Sequence, residues 1–351
     1  MSSFPGDVLP FDVDHYPANS DYIDRLVGVN PVIKYADTSS TQTTNEPDLL
    51  ADPFIVPKLD KSGYYMFYEL LVSTASNVKN IAVSESSNLE NWSYLGEVLF
   101  PGLKAYPVVL RHNNKWYMVP TDNDENFYVY TTTDANFPFG WVDEEVSLPG
   151  VDIIDPNVFS AKDENGNQRW WLLTAENVSG NRNNRTNLYF SGVGQDLETA
   201  TWSAHPQNPV LTITGKSRPG GRGIIPSDGK YIFYLQDNTI TYGKYLRVYE
   251  ASFSTTAWSV QELNDGRIYL DGTDDGMFWN SVRMHHCDPV WGKHFGKMGN
   301  FWIMAVDGSS ANTGNWQCGV FISKVPSGHL EKSIGGIHQS NNDGIIETIN
   351  R

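Results

Sequence analysis

Asp52 and Asp155 are the residues in this chain best suited to chemistry on a glycosidic bond, and each is followed directly by proline. Cleaving such a bond needs two carboxyl groups across it, one protonated and one ionised. Asp52 is the candidate base or nucleophile, and Asp155 a second carboxylate that tunes it or holds ring hydroxyls. The acid partner stays open among Glu69, Glu176, Asp122 and Asp237, each of which closes an aromatic-rich run. Glu69 ranks ahead of Glu176. Strand alternation decides which of them points inward, and composition alone does not settle it.

Further polar groups cluster by type. Arg218 and Arg222 in SRPGGRG form an arginine pair in an acidic chain, suited to a carboxylate, phosphate or sulfate on a sugar. An ion pair from Arg218 to Asp155 or Asp52 is the equal alternative. Gln236 and Asp237, followed by Tyr242 and Gly243, could complete a polar pocket. His285 and His286 are adjacent, so alternation sends at most one of them toward a given face. With Asp288 they offer at most a structural Ca²⁺ site, and the spacing is not that of zinc. No cofactor is required by any motif: neither GxxxxGK[ST] nor GxGxxG is present.

The elements that would position these groups form an internal repeat. Asp52-Pro53, Tyr106-Pro107, Asp155-Pro156, Arg218-Pro219 and, least regularly, Asp288-Pro289 each open a unit. A short apolar run, a polar turn and a strand such as YYMFY, KWYMVPT, QRWWLLTA, KYIFYLQ or NFWIMAV follow. Turns rich in Gly, Asn, Asp and Lys between such runs read as hairpins. Trp92, Trp141, Trp202 and Trp258 recur near the ends of their units. The units recur at roughly 50–70 residues, the length of a four-stranded propeller blade with loops. The expected fold is therefore all-β, a single five-bladed β-propeller over residues 1–351 with a central funnel. A β-sandwich of similar size would not explain the repeat. In a propeller the innermost strand of each blade lines the channel, so Asp52, Tyr106, Asp155, Arg218 and Asp288, with His285 and His286, converge on one mouth. Proline is tolerated at such a strand start. Residues 1–48 are expected to close the ring, with NPVIKYA as the closing strand.

Bulk properties narrow the partners. Aromatic residues make up 13% of the chain, including 11 Trp and 18 Tyr, a supply of both core packing and sugar-stacking faces. The net charge of −16 repels phosphate backbones, so nucleic acid is an unexpected partner. No apolar run is long enough to span a bilayer. The opening MSSFPGDVLPFDVDHYP has no basic or apolar leader region, so a cytoplasmic location is expected, with export by another route left open. Cys287 and Cys318 could pair, but no disulfide framework exists.

These motifs resemble the five-bladed propellers of glycoside hydrolase family 43 and its relatives in families 32, 62 and 68. The resemblance implies that Asp52 in ADPFIV is base or nucleophile, and that Asp155 in IDPNVF tunes pKa and holds the sugar. The family's general acid is a Glu in a Glu-Gly-Pro setting, where this chain has Ser217-Arg218-Pro219. A closer similarity is to the propeller at the amino terminus of glucosamine inositolphosphorylceramide transferases, a domain also found in bacterial proteins linked to sugar formyltransferases. ADPF, YYMFYE, AYPVV, WYMVP, IDPNVF, HPQNPV, SRPGGR, YLQDNTITYG and WIMAVDG carry it in order. Relatives have Pro-Glu where this chain has Pro120-Thr121-Asp122. The resemblance implies a carbohydrate partner. It leaves two readings: a glycosidase or transglycosidase, or a non-catalytic propeller recognising an anionic or modified sugar.

Overall fold

Prolines that open strands leave a specific mark on the backbone. In a computed structural model the chain is described over residues 10–11, 23–38, 49–73, 78–99, 104–122, 127–146, 148, 153–226, 230–263, 266–272, 278–293, 300–312, 314–323, 339–340 and 346–347. In the first three blades the inner strand shifts register by one residue at the X-Pro pair. Ala51 pairs Glu69 and Phe54 pairs Phe67, so Asp52 and Pro53 together face Tyr68. The same shift falls between Ala105 and Val108, and between Ile154 and Asn157. These are β-bulges, which place two residues opposite one and re-aim a side chain. The residue before the proline adopts a left-handed conformation each time, with φ of 52° at Asp52, 51° at Tyr106 and 50° at Asp155. Proline lacks the N–H for the ladder and disfavours the right-handed helical region for its predecessor. Non-glycine residues at positive φ are strained, and three at equivalent places mark the site end of the ring.

Each blade is an antiparallel meander. The first comprises Leu50–Pro57, Tyr64–Ser73, Val78–Ser86 and Ser93–Leu99. The second and third run from Lys104–His112 to Val142–Val146 and from Ile154–Lys162 to Trp202–Ala204. The fourth opens with the two residues Arg218–Pro219, followed by Tyr231–Asp237, Tyr245–Phe253 and Trp258–Glu262. The fifth is Cys287–Lys293, Asn300–Ser309 and Trp316–Ser323, completed on its outer edge by Ile23–Asp24. The repeated tryptophans start or directly precede the outer strands.

Ring closure therefore joins an early segment to the last blade, but through Ile23–Asp24 rather than NPVIKYA. Pro31 cannot donate, and the Asn30 side chain does the pairing instead. Its Nδ2 donates to the Val320 carbonyl at 2.7 Å and its Oδ1 accepts the Val320 N–H at 2.8 Å. Ile33 adds a single bridge to Cys318, and Tyr35–Asp37 is a 3-10 turn. The rest of 1–48, apart from 10–11 and 23–38, lies outside the described residues.

Strand alternation splits each blade's apolar residues between its two neighbours. Phe67, Ile81 and Val83 pack toward Val109, Trp116 and Met118 of the second blade. Met66, Tyr68 and Ala82 of the same strands pack toward Ile303, Ala305 and Val320 of the fifth. Similar clusters fill the seams between blades two and three, three and four, and four and five. The aromatic content is thus used mainly between blades. Cys287 and Cys318 are buried free thiols. Among the described residues no helix is long and apolar enough to cross a membrane.

Candidate functional site

Two of the three bulged residues, Asp52 and Asp155, line one cavity, which Ala105 beside the third, Tyr106, also borders; its volume is about 260 Å³. That is just below the about 300–1,000 Å³ of drug-sized ligand pockets, a scale suited to one sugar unit with room at the mouth. Asp52, Glu69, Lys79, Thr121, Asp155, Arg182, Arg218, Tyr242, His285 and Trp316 give it its chemistry.

Two of the three cavity carboxylates are neutralised in place. Asp155 is 1% exposed and is held bidentately by Arg218 Nε and Nη2. Gln236 Nε2 donates to the same carboxylate at 3.0 Å, and the Asp155 backbone N–H donates to Thr121 Oγ1 at 2.8 Å. Glu69 lies 2.6 Å from Lys79 Nζ, and that carboxylate raises the Lys79 pKa.

Asp52 differs. Its Oδ1 is buried and has no hydrogen-bond partner among the described residues. Burial, with Asp155, Glu69 and Asp307 nearby, pushes its carboxyl well above the usual carboxylate range; Arg218 opposes this only in part. The nearest groups are His286 Nδ1 at 3.6 Å, itself buried and unpartnered, and His285 Nε2 at 4.0 Å. His286 Nε2 donates to the Pro53 carbonyl at 2.9 Å, and burial lowers its pKa to about 4. Neutral His286 therefore turns a lone pair toward Asp52.

Behind these groups sits Asp307, fully buried. It lies 2.7 Å from His285 Nδ1 and accepts the backbone N–H groups of His285 and Asp52, each at 3.2 Å. Burial alone would raise its pKa, but His285 and these hydrogen bonds hold it below the usual range. Asp52, His285 and Asp307 offer three donor atoms within 4.8 Å of one another. Ca²⁺ takes about 6–8 oxygen ligands, and N–H groups already aimed at Asp307 oppose a cation. The donor set suits proton handling better than a metal.

Other sequence candidates fall elsewhere. Tyr106 is fully buried, its hydroxyl donating to the Gly221 carbonyl at 3.0 Å. Gln236 stands behind Asp155. Asp288 has no bulge to re-aim it, so it is buried in a seam, accepting Arg222 Nε at 2.6 Å and the Ile55 N–H at 2.7 Å. Arg222 is thereby committed away from the cavity. Asp237 accepts from Arg247 Nε at 2.7 Å, Asp122 pairs with Lys104, and Glu176 lies 3.8 Å from Arg185. None of these lines the cavity. Lys79, Thr121, Arg182 and Trp316 do so without having been singled out in the sequence. Trp316 is one of seven tryptophans outside the outer-strand pattern, so its type alone does not mark it.

Residues 26–309 match the family described as glucosamine inositolphosphorylceramide transferase 1, N-terminal. The chain belongs to this family. Solved structures share the propeller fold. The catalytic domain of a family 62 α-L-arabinofuranosidase from Coprinopsis cinerea is 12% identical, with TM-score 0.59, covering 83% of this chain and 94% of that one. A thermostable family 43 glycoside hydrolase is 19% identical, with TM-score 0.53, covering 90% and 96%. An exo-β-1,3-galactanase from Phanerochaete chrysosporium is 16% identical, with TM-score 0.53, covering 91% and 70%. Among curated proteins, none matches the chain.

Proposed function

We propose that the cavity binds a carbohydrate and that Asp52 handles the proton in cleavage or transfer of its glycosidic bond. One observation carries this reading: Asp52 lines the cavity and its buried Oδ1 has no hydrogen-bond partner among the described residues, while Asp155 and Glu69 beside it are each tied to a cation. A carboxyl whose pKa is raised by burial is poised to take up a proton, the task of a base in glycoside chemistry. Asp155 orients ring hydroxyls and sets the field at Asp52. The glycosidase names of the similar structures support the substrate class. Release of reducing sugar from a panel of polysaccharides and aryl glycosides, run beside Asp52→Asn, tests the reading. Turnover that survives in the variant would sink it.

A second reading is favoured by Arg218. By the family 43 resemblance Ser217 stands where the acid would be, and Arg218 beside it is locked onto Asp155. Arg182, exposed at the mouth, has no ion pair among the described residues. A non-catalytic site for an anionic sugar would use that free guanidinium. Glycan-array binding without turnover would select it.

A further inference from the structure

If the cavity cleaves glycosides, the leaving oxygen needs a proton donor; Glu69 is tied to Lys79, and serine stands at position 217 where the family acid would be. This inference rests on the glycosidase reading above. Tyr242 Oη lies 3.2 Å from His285 Nε2, and His285 Nδ1 lies 2.7 Å from the Asp307 carboxylate. We propose that Tyr242, His285 and Asp307 form a proton relay whose cavity end, the Tyr242 hydroxyl, is the general acid of this site.

The parts are held in place from several sides. The His285 ring stacks on Trp316 at 4.2 Å and 25°, and Arg283 backs that indole at 4.5 Å. Gly243 makes the close approach of the Tyr242 loop feasible: at φ +66°, an added Cβ would lie 3.0 Å from both His285 Cδ2 and Trp316 Cη2. Tyr242 is 41% exposed and lines the cavity, while His285 is 2% exposed beneath it. Phenol, base and orienting carboxylate thus meet the spacing expected of a three-part proton-transfer set. Burial pushes the Tyr242 phenol pKa up, and the Arg218 guanidinium, 5.3 Å from its ring centroid, opposes this in part.

The proton accounting closes. With His285 as imidazolium, Nδ1–H donates to Asp307 and Nε2–H to Tyr242 Oη, so the Tyr242 O–H points at the substrate. As the C–O bond to the leaving group breaks, its oxygen takes the Tyr242 proton. Tyr242 takes the Nε2 proton, and His285 is left neutral. Water attacking the anomeric carbon loses its proton to carboxylate Asp52. Asp52 then returns that proton to His285 through one bridging water, since Nε2 is 4.0 Å away, restoring the starting state. Asp307 stays ionised throughout and is a positioning residue.

The test uses dinitrophenyl and methyl glycosides of arabinofuranose, xylose and galactose. A dinitrophenolate leaves without protonation, whereas methanol does not. Tyr242→Phe and His285→Gln are expected to lose about 10²–10⁴-fold on the methyl glycosides, the range for general acid catalysis, and to change little on the dinitrophenyl series. Asp307→Asn follows the same pattern with a smaller loss, a split that a purely structural role would not give. Asp52→Asn loses both series. Tyr242→Phe reaches no packed core, so it stays informative even where His285→Gln unfolds. Methyl glycoside turnover by Tyr242→Phe at the wild-type rate, or equal losses on both series, overturns the relay alone. Silence of the wild type on every probe overturns the glycosidase reading and the relay with it.

Discussion

The Asp307 carboxylate of the fifth blade accepts the backbone N–H of Asp52 in the first blade at 3.2 Å while binding His285. One buried carboxylate thus fixes a left-handed turn and the orientation of an imidazole across the seam that closes the ring. Asp307→Ala strands these N–H donors in a dry interior, where each unsatisfied group costs about 1–3 kcal/mol. A loss of several kcal/mol in urea unfolding is expected, and a smaller one for Asp307→Asn, whose amide oxygen still accepts one of the two N–H groups. Equal losses in the two variants would contradict this role.

Asp155 and Arg218 form the other deep contact of the site. Their side chains are 1% and 15% exposed, so neither charge is well solvated alone. Arg218→Met leaves Asp155 buried without its counter-ion and is expected to cost about 3–5 kcal/mol. Asp155→Asn combined with Arg218→Met removes both charges and recovers much of that loss. A double-mutant cycle by chemical unfolding measures it. Additive costs would show that the two residues do not stabilise one another.

The repeat and its proline starts were legible because proline cannot join a ladder, so X-Pro dipeptides report strand beginnings wherever they recur. The convergence of Asp52, Asp155 and Arg218 on the cavity follows from that geometry. What the sequence could not disclose is which starts carry a bulge. Asp288-Pro289 looks like Asp52-Pro53 on paper, yet its strand pairs in regular register and sends Asp288 into a seam. The Arg218–Arg222 pair failed as a joint anion grip for a similar reason. Both arginines meet partners from the neighbouring blades, more than 60 residues away in sequence, and such contacts leave no local pattern. Lys79 and Arg182 lie on segments whose reach depends on the assembled ring.

Asp52 carries a pH signature of its own. Its folded pKa stands above its unfolded value near 3.9. Its contribution to stability is therefore complete below that value and is lost as pH rises through the folded pKa. Asp52→Asn, neutral throughout, escapes that loss. The variant is expected to match the wild type near pH 4 and to exceed it at pH 8, by about 1.4 kcal/mol per unit of upward shift. His286 titrates in both proteins, so its opposite trend largely cancels in the comparison. Urea unfolding at both pH values checks this, and an offset independent of pH would show that the Asp52 carboxyl is not perturbed by burial.

Arg182 separates the two proposed functions. It is exposed, so Arg182→Ser is expected to change stability by no more than about 0.5 kcal/mol. The Lys79 and Arg218 charges are neutralised within the cavity, so Arg182 is the cation there left to meet an incoming anion. If the ligand carries a carboxylate, sulfate or phosphate, Arg182→Ser weakens binding of acidic glycans and leaves neutral ones unchanged. Wild-type binding of the acidic set then falls as salt rises, because an exposed pair is screened over about 8 Å at physiological ionic strength. The variant shows a shallower salt dependence. Equal binding of acidic glycans by wild type and variant at low salt would remove the anionic-sugar reading and leave a neutral glycoside as the ligand around Asp52.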